Sequence, residues 1–115
     1  MIGADVNHPA PGMSSRPSIA AVTASLDPYF SRYCASIKPQ RHRQEVIDDL
    51  APTIKNLLKQ WWRANGIPKD ANGKPVPPER IIFMRDGVSE GQFKQVIQAH
   101  LPYMQEVQEG SYTHP

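Results

Sequence analysis

Two aspartates stand where a sheet could bring them together. Asp5 lies within the apolar stretch Ile2-Gly3-Ala4-Asp5-Val6, and Asp86 follows the continuous apolar run Ile81-Ile82-Phe83-Met84. Gly87 comes next and permits a sharp turn. Two ionised carboxylates held close together repel each other unless a cation sits between them. Ligands that are all oxygen suit magnesium or manganese. A pair of such ions roughly 3.5–4 Å apart can activate a water and stabilise the leaving oxygen of a phosphodiester. Taken singly, an aspartate at a strand end serves more often as a turn or cap residue, so the chemistry depends on whether the fold makes the two meet.

A second group, Arg41-His42-Arg43-Gln44-Glu45, precedes the longest helical pattern, with Arg32 and Lys38 shortly before it. Cationic side chains there could meet nucleic-acid phosphates, or simply line a solvated corner. Glu45 is favourable near a helix N-terminus whatever its function. Cys34, the lone cysteine, reads as a small packed residue and excludes an internal disulfide framework. His8, His42, His100 and His114 show no ligand spacing with one another, and no Walker, GxGxxG or GxSxG pattern occurs.

The elements that must position these residues follow from periodicity. At 115 residues the chain suffices for one small domain, and a net charge of +2 excludes a strongly cationic DNA-coating protein. No apolar run is long enough to cross a membrane. Ile2–Val6 is a first strand, Asn7–Pro17 a turn-rich loop, and the small, β-branched stretch Ser18–Leu26 a second strand. Arg32–Lys38 alternates with period two as a third strand. Val46, Ile47, Leu50, Ile54, Leu57, Leu58 and Trp61 then follow helical spacing, with a kink or restart expected at Pro52. Residues 66–80 form an exposed loop rich in Pro and Gly, and Ile81–Met84 reads as a strand covered on both faces. Ser89 and Gln92 form a capping-box pattern before a second helix carrying Phe93, Val96, Ile97, Leu101, Met104 and Val107.

The order β-β-β-α-β-α predicts an α/β fold: an incomplete ribonuclease-H-like mixed sheet, with an antiparallel meander, a crossover helix and a parallel strand. In that topology the strands carrying Asp5 and Asp86 are neighbours, and their carboxylates converge at the carboxyl end of the parallel strand. The chain opens almost inside a strand and lacks a further strand, as expected of a segment of something larger. Alone, it is expected to be marginally stable or aggregation-prone, and inactive as a nuclease.

Four blocks, IGADVNHP (Ile2 to Pro9), PSIAAVTASLD (Pro17 to Asp27), RYCASIKPQRHRQEVIDDL (Arg32 to Leu50) and RIIFMRDGVSEGQF (Arg80 to Phe93), closely resemble the PIWI domain of eukaryotic Argonaute proteins. The resemblance runs in order from Ile2 to about Leu101 and identifies residues 1–115 as the amino-terminal part of such a domain. It departs at Asn7, where Thr or Ser is common, at Pro52, and in the longer loop 67–79.

The resemblance implies magnesium-dependent (or manganese-dependent) endonucleolytic cleavage of target RNA, directed by a small guide RNA. By motif, the catalytic acids are Asp5, Glu45 and Asp86, with Asp5 and Asp86 the metal ligands. A fourth catalytic residue lies downstream in the family, beyond this sequence, and His114 stands in an unrelated context. Arg41, His42 and Arg43 would line the approach to the scissile phosphate. Specificity would come from base pairing, while the protein reads the backbone and A-form shape of the duplex. Some Argonautes bind tryptophan-containing silencing proteins near the end of the long helix, where Trp61 stands, although core packing is the simpler role for it. The alternative reading is a non-cleaving Argonaute that binds guides and recruits partners. The cytoplasm is the default compartment, with the nucleus the alternative.

Overall fold

The computed structural model describes residues 1–13, 15–66, 69–73, 78–88, 91, 92, 94–96, 98 and 99. Four strands and a long helix succeed one another: β1 (Ile2–Asn7), β2 (Ser18–Ser25), β3 (Tyr33–Gln40), α1 (Leu50–Asn65) and β4 (Phe83–Arg85). Among residues 91–99 those described are helical, in the place of the second helix expected from the sequence. The strand order is β3-β2-β1-β4. The first three strands form an antiparallel meander, and β4 returns parallel to β1 after the α1 crossover. The sheet stays open, as in an incomplete ribonuclease-H-like fold.

Alternation along the strands gives the sheet one apolar face. Ile2, Ala4 and Val6 of β1, Ala20, Val22 and Ala24 of β2, and Cys34 of β3 are buried there. Leu50, Ile54, Leu57 and Leu58 of α1 close over that face, the first three with no exposed surface. Small residues on β2 let the helix approach closely, and the larger helical side chains fill the space. Burial pushes the Cys34 thiol above its ordinary value, and Sγ lies 3.6 Å from the Ala24 carbonyl oxygen. The thiol therefore stays protonated and unreactive at neutral pH, in keeping with a packed small residue. Among the described residues, no helix is long and apolar enough to cross a membrane.

Several expectations need correction. The helix begins at Leu50, not near Val46, so Asp48 and Asp49 precede it and Ile47 is buried from the preceding loop. Pro52 therefore falls in the first turn, where N–H groups have no intrahelical partner to lose. The first such bond comes from Thr53 N–H to the Asp49 carbonyl, at 3.0 Å. Trp62 is the buried tryptophan at 3% exposed, whereas Trp61 is half-buried. On β3 the buried parity is that of Cys34 and Gln40, and Ile37 is 70% exposed. The fourth strand spans Phe83–Arg85 and is covered on one side only among the described residues, leaving Ile82 and Met84 exposed.

Ser89 of the capping box lies outside the described residues, as do Phe93, Ile97, His100, Leu101, Met104, Val107, His114 and much of the loop 66–80.

The position of Pro52 has a measurable sign. A first-turn proline stabilises by restricting the unfolded chain, so Pro52→Ala should be neutral or cost up to about 1 kcal/mol in chemical denaturation. A proline interrupting the helix would give the opposite sign, a gain of about 3 kcal/mol on replacement. Ile54→Ala should cost about 2–5 kcal/mol in the same measurement.

Candidate functional site

Parallel pairing decides where the two aspartates go. Ile2, Gly3 and Ala4 pair with Phe83, Met84 and Arg85, so β4 ends beside Ala4 while β1 runs on to Asn7. The next rung is still connected, because the Asp86 N–H donates to the Ala4 carbonyl at 3.0 Å. Asp5 and Asp86 thus follow adjacent paired residues at one rim. Both are exposed, the Asp5 side chain by 55%. Asp86 Oδ1 accepts the Gly87 N–H at 2.8 Å. Gly87 has φ of 74°, and a Cβ there would lie 2.8 Å from Asp5 Oδ1. Glycine is required twice over: for its backbone conformation and for the room it leaves beside the carboxylate.

Glu45 reaches the same rim from the loop between β3 and α1. Buried Gln40 organises that loop: its amide donates to the Gln44 carbonyl at 2.8 Å and the Val46 carbonyl at 3.1 Å, and its Oε1 accepts the Asp48 N–H at 3.2 Å. The Glu45 carboxylate is gripped from both sides. Arg85 Nη2 donates to Oε2 at 2.8 Å and to the Glu45 carbonyl at 3.0 Å. His8 Nε2 contacts Oε1, and His8 Nδ1 is 2.6 Å from Ser18 Oγ. Ser18, wholly buried, also accepts the Arg43 N–H at 2.8 Å. With the Ser18 hydroxyl donating to Nδ1, the assigned neutral tautomer of His8 donates from Nε2 to Glu45. The other end of the Arg85 fork faces the first aspartate, with Nη1 3.7 Å from Asp5 Oδ1.

The basic corner is arranged less uniformly. Arg41 is exposed. His42 Nδ1 lies 2.8 Å from the Arg16 carbonyl, and Arg43 Nη2 donates to the Pro9 carbonyl at 3.0 Å. His42 and Arg43 therefore tie the corner to the loop after β1, and Arg43 adopts a left-handed φ of 63° to do so.

A family model described as the Piwi domain matches residues 1–113. The chain belongs to the Piwi domain family. Solved structures agree. A Kluyveromyces polysporus Argonaute with a guide RNA superposes with a TM-score of 0.74 at 31% identity, over 92% of this chain and 11% of that one. The C-terminal lobe of a budding yeast Argonaute gives 0.73 at 31% identity, over 92% of this chain and 19% of that one. The MID-PIWI domains of an N. crassa AGO protein give 0.68 at 31% identity, over 99% of this chain and 30% of that one. This is the PIWI-domain region of a eukaryotic Argonaute-like protein, and it spans less than a third of the length of each of these relatives.

Within this Piwi domain the donor set can be tested against a divalent metal. No group of three His, Cys, Asp or Glu side chains close enough to hold an ion exists among the described residues. What the rim offers is two exposed carboxylates beside a glycine that leaves one flank open. That fits magnesium, which commonly takes one or two carboxylates and completes its shell with water and phosphate oxygens. Glu45 is committed to Arg85 and His8 and supplies no third acidic ligand in this arrangement.

Sequence reasoning left out His8, Ser18, Gln40 and Arg85. The block IGADVNHP contains His8, yet its partner Glu45 lies far along the chain, and no local spacing betrays the contact. Arg85 adjoins Asp86 with nothing in its neighbours to set it apart, and its side chain is only 7% exposed.

Gly87→Ala should destabilise the domain by about 1–2 kcal/mol, the cost of a left-handed L-residue. The contact with Asp5 adds to that figure. Chemical denaturation measures it, and a neutral substitution would contradict the close approach. Ser18→Ala removes the acceptor of the part-buried Arg43 N–H and a partner of His8, and should cost about 1–3 kcal/mol by the same measurement.

Proposed function

We propose that this Piwi domain is the cleaving domain of a small-RNA-guided endoribonuclease acting in gene silencing. The supporting observation is that Asp86, just past the carboxyl end of β4, stands beside Asp5 of β1, with Glu45 held nearby through Arg85. Asp5 and Asp86 are the residues that would hold magnesium or manganese, and the ion supplies charge neutralisation and water activation at a phosphodiester. The carboxylates bind and orient, and the exposure of both leaves the rim open to a nucleic-acid backbone. Glu45, fixed by the Arg85 fork and His8, would act on a water only after one of those contacts gives way. Arg41 and Arg43 supply positive charge along the approach, with His42 bracing the corner, and the guide supplies sequence recognition through base pairing.

A second reading, a guide-binding protein that recruits silencing partners without cutting, draws support from an apolar groove at the opposite end of β1. Phe30, Leu57, Leu58, Trp61, Pro78 and Ile81 contribute to its lining. A tryptophan presented by a partner protein suits such a lining. The cytoplasm is the compartment we assign by default, with the nucleus the alternative.

The full-length protein loaded with a guide should cut a complementary RNA in magnesium. Asp86→Ala should abolish the cut while leaving guide binding intact. Cleavage that survives this substitution overturns the assignment of Asp86. Reading the parent sequence downstream discriminates the two proposals, because a fourth motif lacking His or Asp favours the non-cleaving one.

A further inference from the structure

We infer that the Arg85 guanidinium competes with the divalent cation for the Asp5 carboxylate, so that Arg85 sets the metal affinity of the rim as well as the position of Glu45. The inference rests on the reading of Asp5 and Asp86 as metal ligands given above. A guanidinium cannot be deprotonated at any pH a protein survives, so its charge is a permanent feature of the rim. Its side chain is 7% exposed, and burial limits the screening of that charge by water.

The two ends of the fork are held differently. Nη2 donates twice to Glu45, to the carboxylate and to the backbone carbonyl. Nη1 donates to the Asp86 carbonyl and lies 3.7 Å from Asp5 Oδ1, beyond hydrogen-bond reach but within strong electrostatic range. Nε is buried and has no hydrogen-bond partner. The guanidinium is thus anchored at Glu45 and leans toward the space between Asp5 and Asp86. A cation entering between those carboxylates meets a fixed positive charge a few ångströms away. The same charge keeps the acids from repelling one another before the metal arrives. Arg85 therefore stabilises the metal-free rim and weakens metal binding in the same act.

Manganese titration of the full-length, guide-loaded protein, with free Mn2+ read by electron paramagnetic resonance, tests this. Asp86→Ala supplies the background from sites elsewhere. Arg85→Gln should bind Mn2+ at the Asp86-dependent site roughly tenfold more tightly than the parent, by the Coulomb argument. Arg85→Lys, which keeps the charge, should stay close to the parent. Because Arg85→Gln leaves Glu45 buried beside no cation and could fail to fold, the paired variant Arg85→Gln/Glu45→Gln is measured as well. It removes both charges and should also bind more tightly, since the lost cation lies nearer Asp5. Unchanged or weaker binding in the folded neutral variants overturns the inference and makes Arg85 a positioning residue for Glu45 alone.

Tighter binding in a protein that never cuts RNA leaves the inference standing and removes the nuclease reading. The absence of any Asp86-dependent Mn2+ site, at millimolar metal and in every variant, counts against the inference and the metal reading together.

Discussion

The parallel pairing of β1 with β4 is the constraint on which the rest depends. Two neighbouring strands that run the same way end at the same rim, so residues just past their paired portions are brought together without any contact of their own. Had β4 returned antiparallel, Asp86 would have ended at the opposite end of the sheet from Asp5. The crossover through α1 makes the parallel return feasible, and the packing of α1 on β2 and β3, with Leu50, Ile54 and Leu57 buried, holds that crossover in place. The core far from the rim is therefore what aims the rim.

The third acid is positioned by different means. Glu45 sits in a loop outside regular structure, and a loop holds a side chain only when its backbone groups find partners. Gln40 supplies them from the last position of β3, and Ile47 anchors the loop into the core. The carboxylate is then fixed from β4 by Arg85 and from beyond β1 by His8. Three separate segments thus converge on one side chain, and loosening any of them frees it. Glu45 is thus held in a set geometry, in contrast to Asp5, whose side chain is 55% exposed.

Periodicity revealed most of the architecture because each strand and the helix buries one face, and burial writes its period into the residue types. The element order and the apolar stripe Leu50, Ile54, Leu57 and Leu58 follow directly. The helix starts later than spacing predicts because Val46 and Ile47 are apolar at helical spacing, yet Ile47 reaches the core from the loop. Apolar spacing does not say which of Trp61 and Trp62 is the more buried, because one residue of rotation decides which ring faces inward. Ile81–Met84 looks like a doubly covered strand, and the exposure of Ile82 and Met84 shows that an apolar run does not fix what covers it. Asp5 and Asp86 were legible through topology. Arg85, His8 and Ser18 were not, because their roles lie in long-range contacts with Glu45 and Arg43, and nothing local distinguishes a buried arginine from an exposed one.

Charge placement also decides where a chain with a net charge of only +2 presents positive potential. Association with phosphates is governed by the local field and not by the sum over the molecule. Arg43 is held by the neutral Pro9 carbonyl, which orients the guanidinium without cancelling its charge. Arg85 is held by the Glu45 carboxylate and stands 3.7 Å from Asp5 Oδ1, so its charge is turned toward the acids. Two arginines near one site therefore behave oppositely: the exposed one projects positive potential toward solvent, and the buried one is spent on balancing the acids. An arginine's value as a phosphate partner depends on what binds it, and here Arg41 and Arg43 are exposed whereas the Arg85 side chain is turned to the acids.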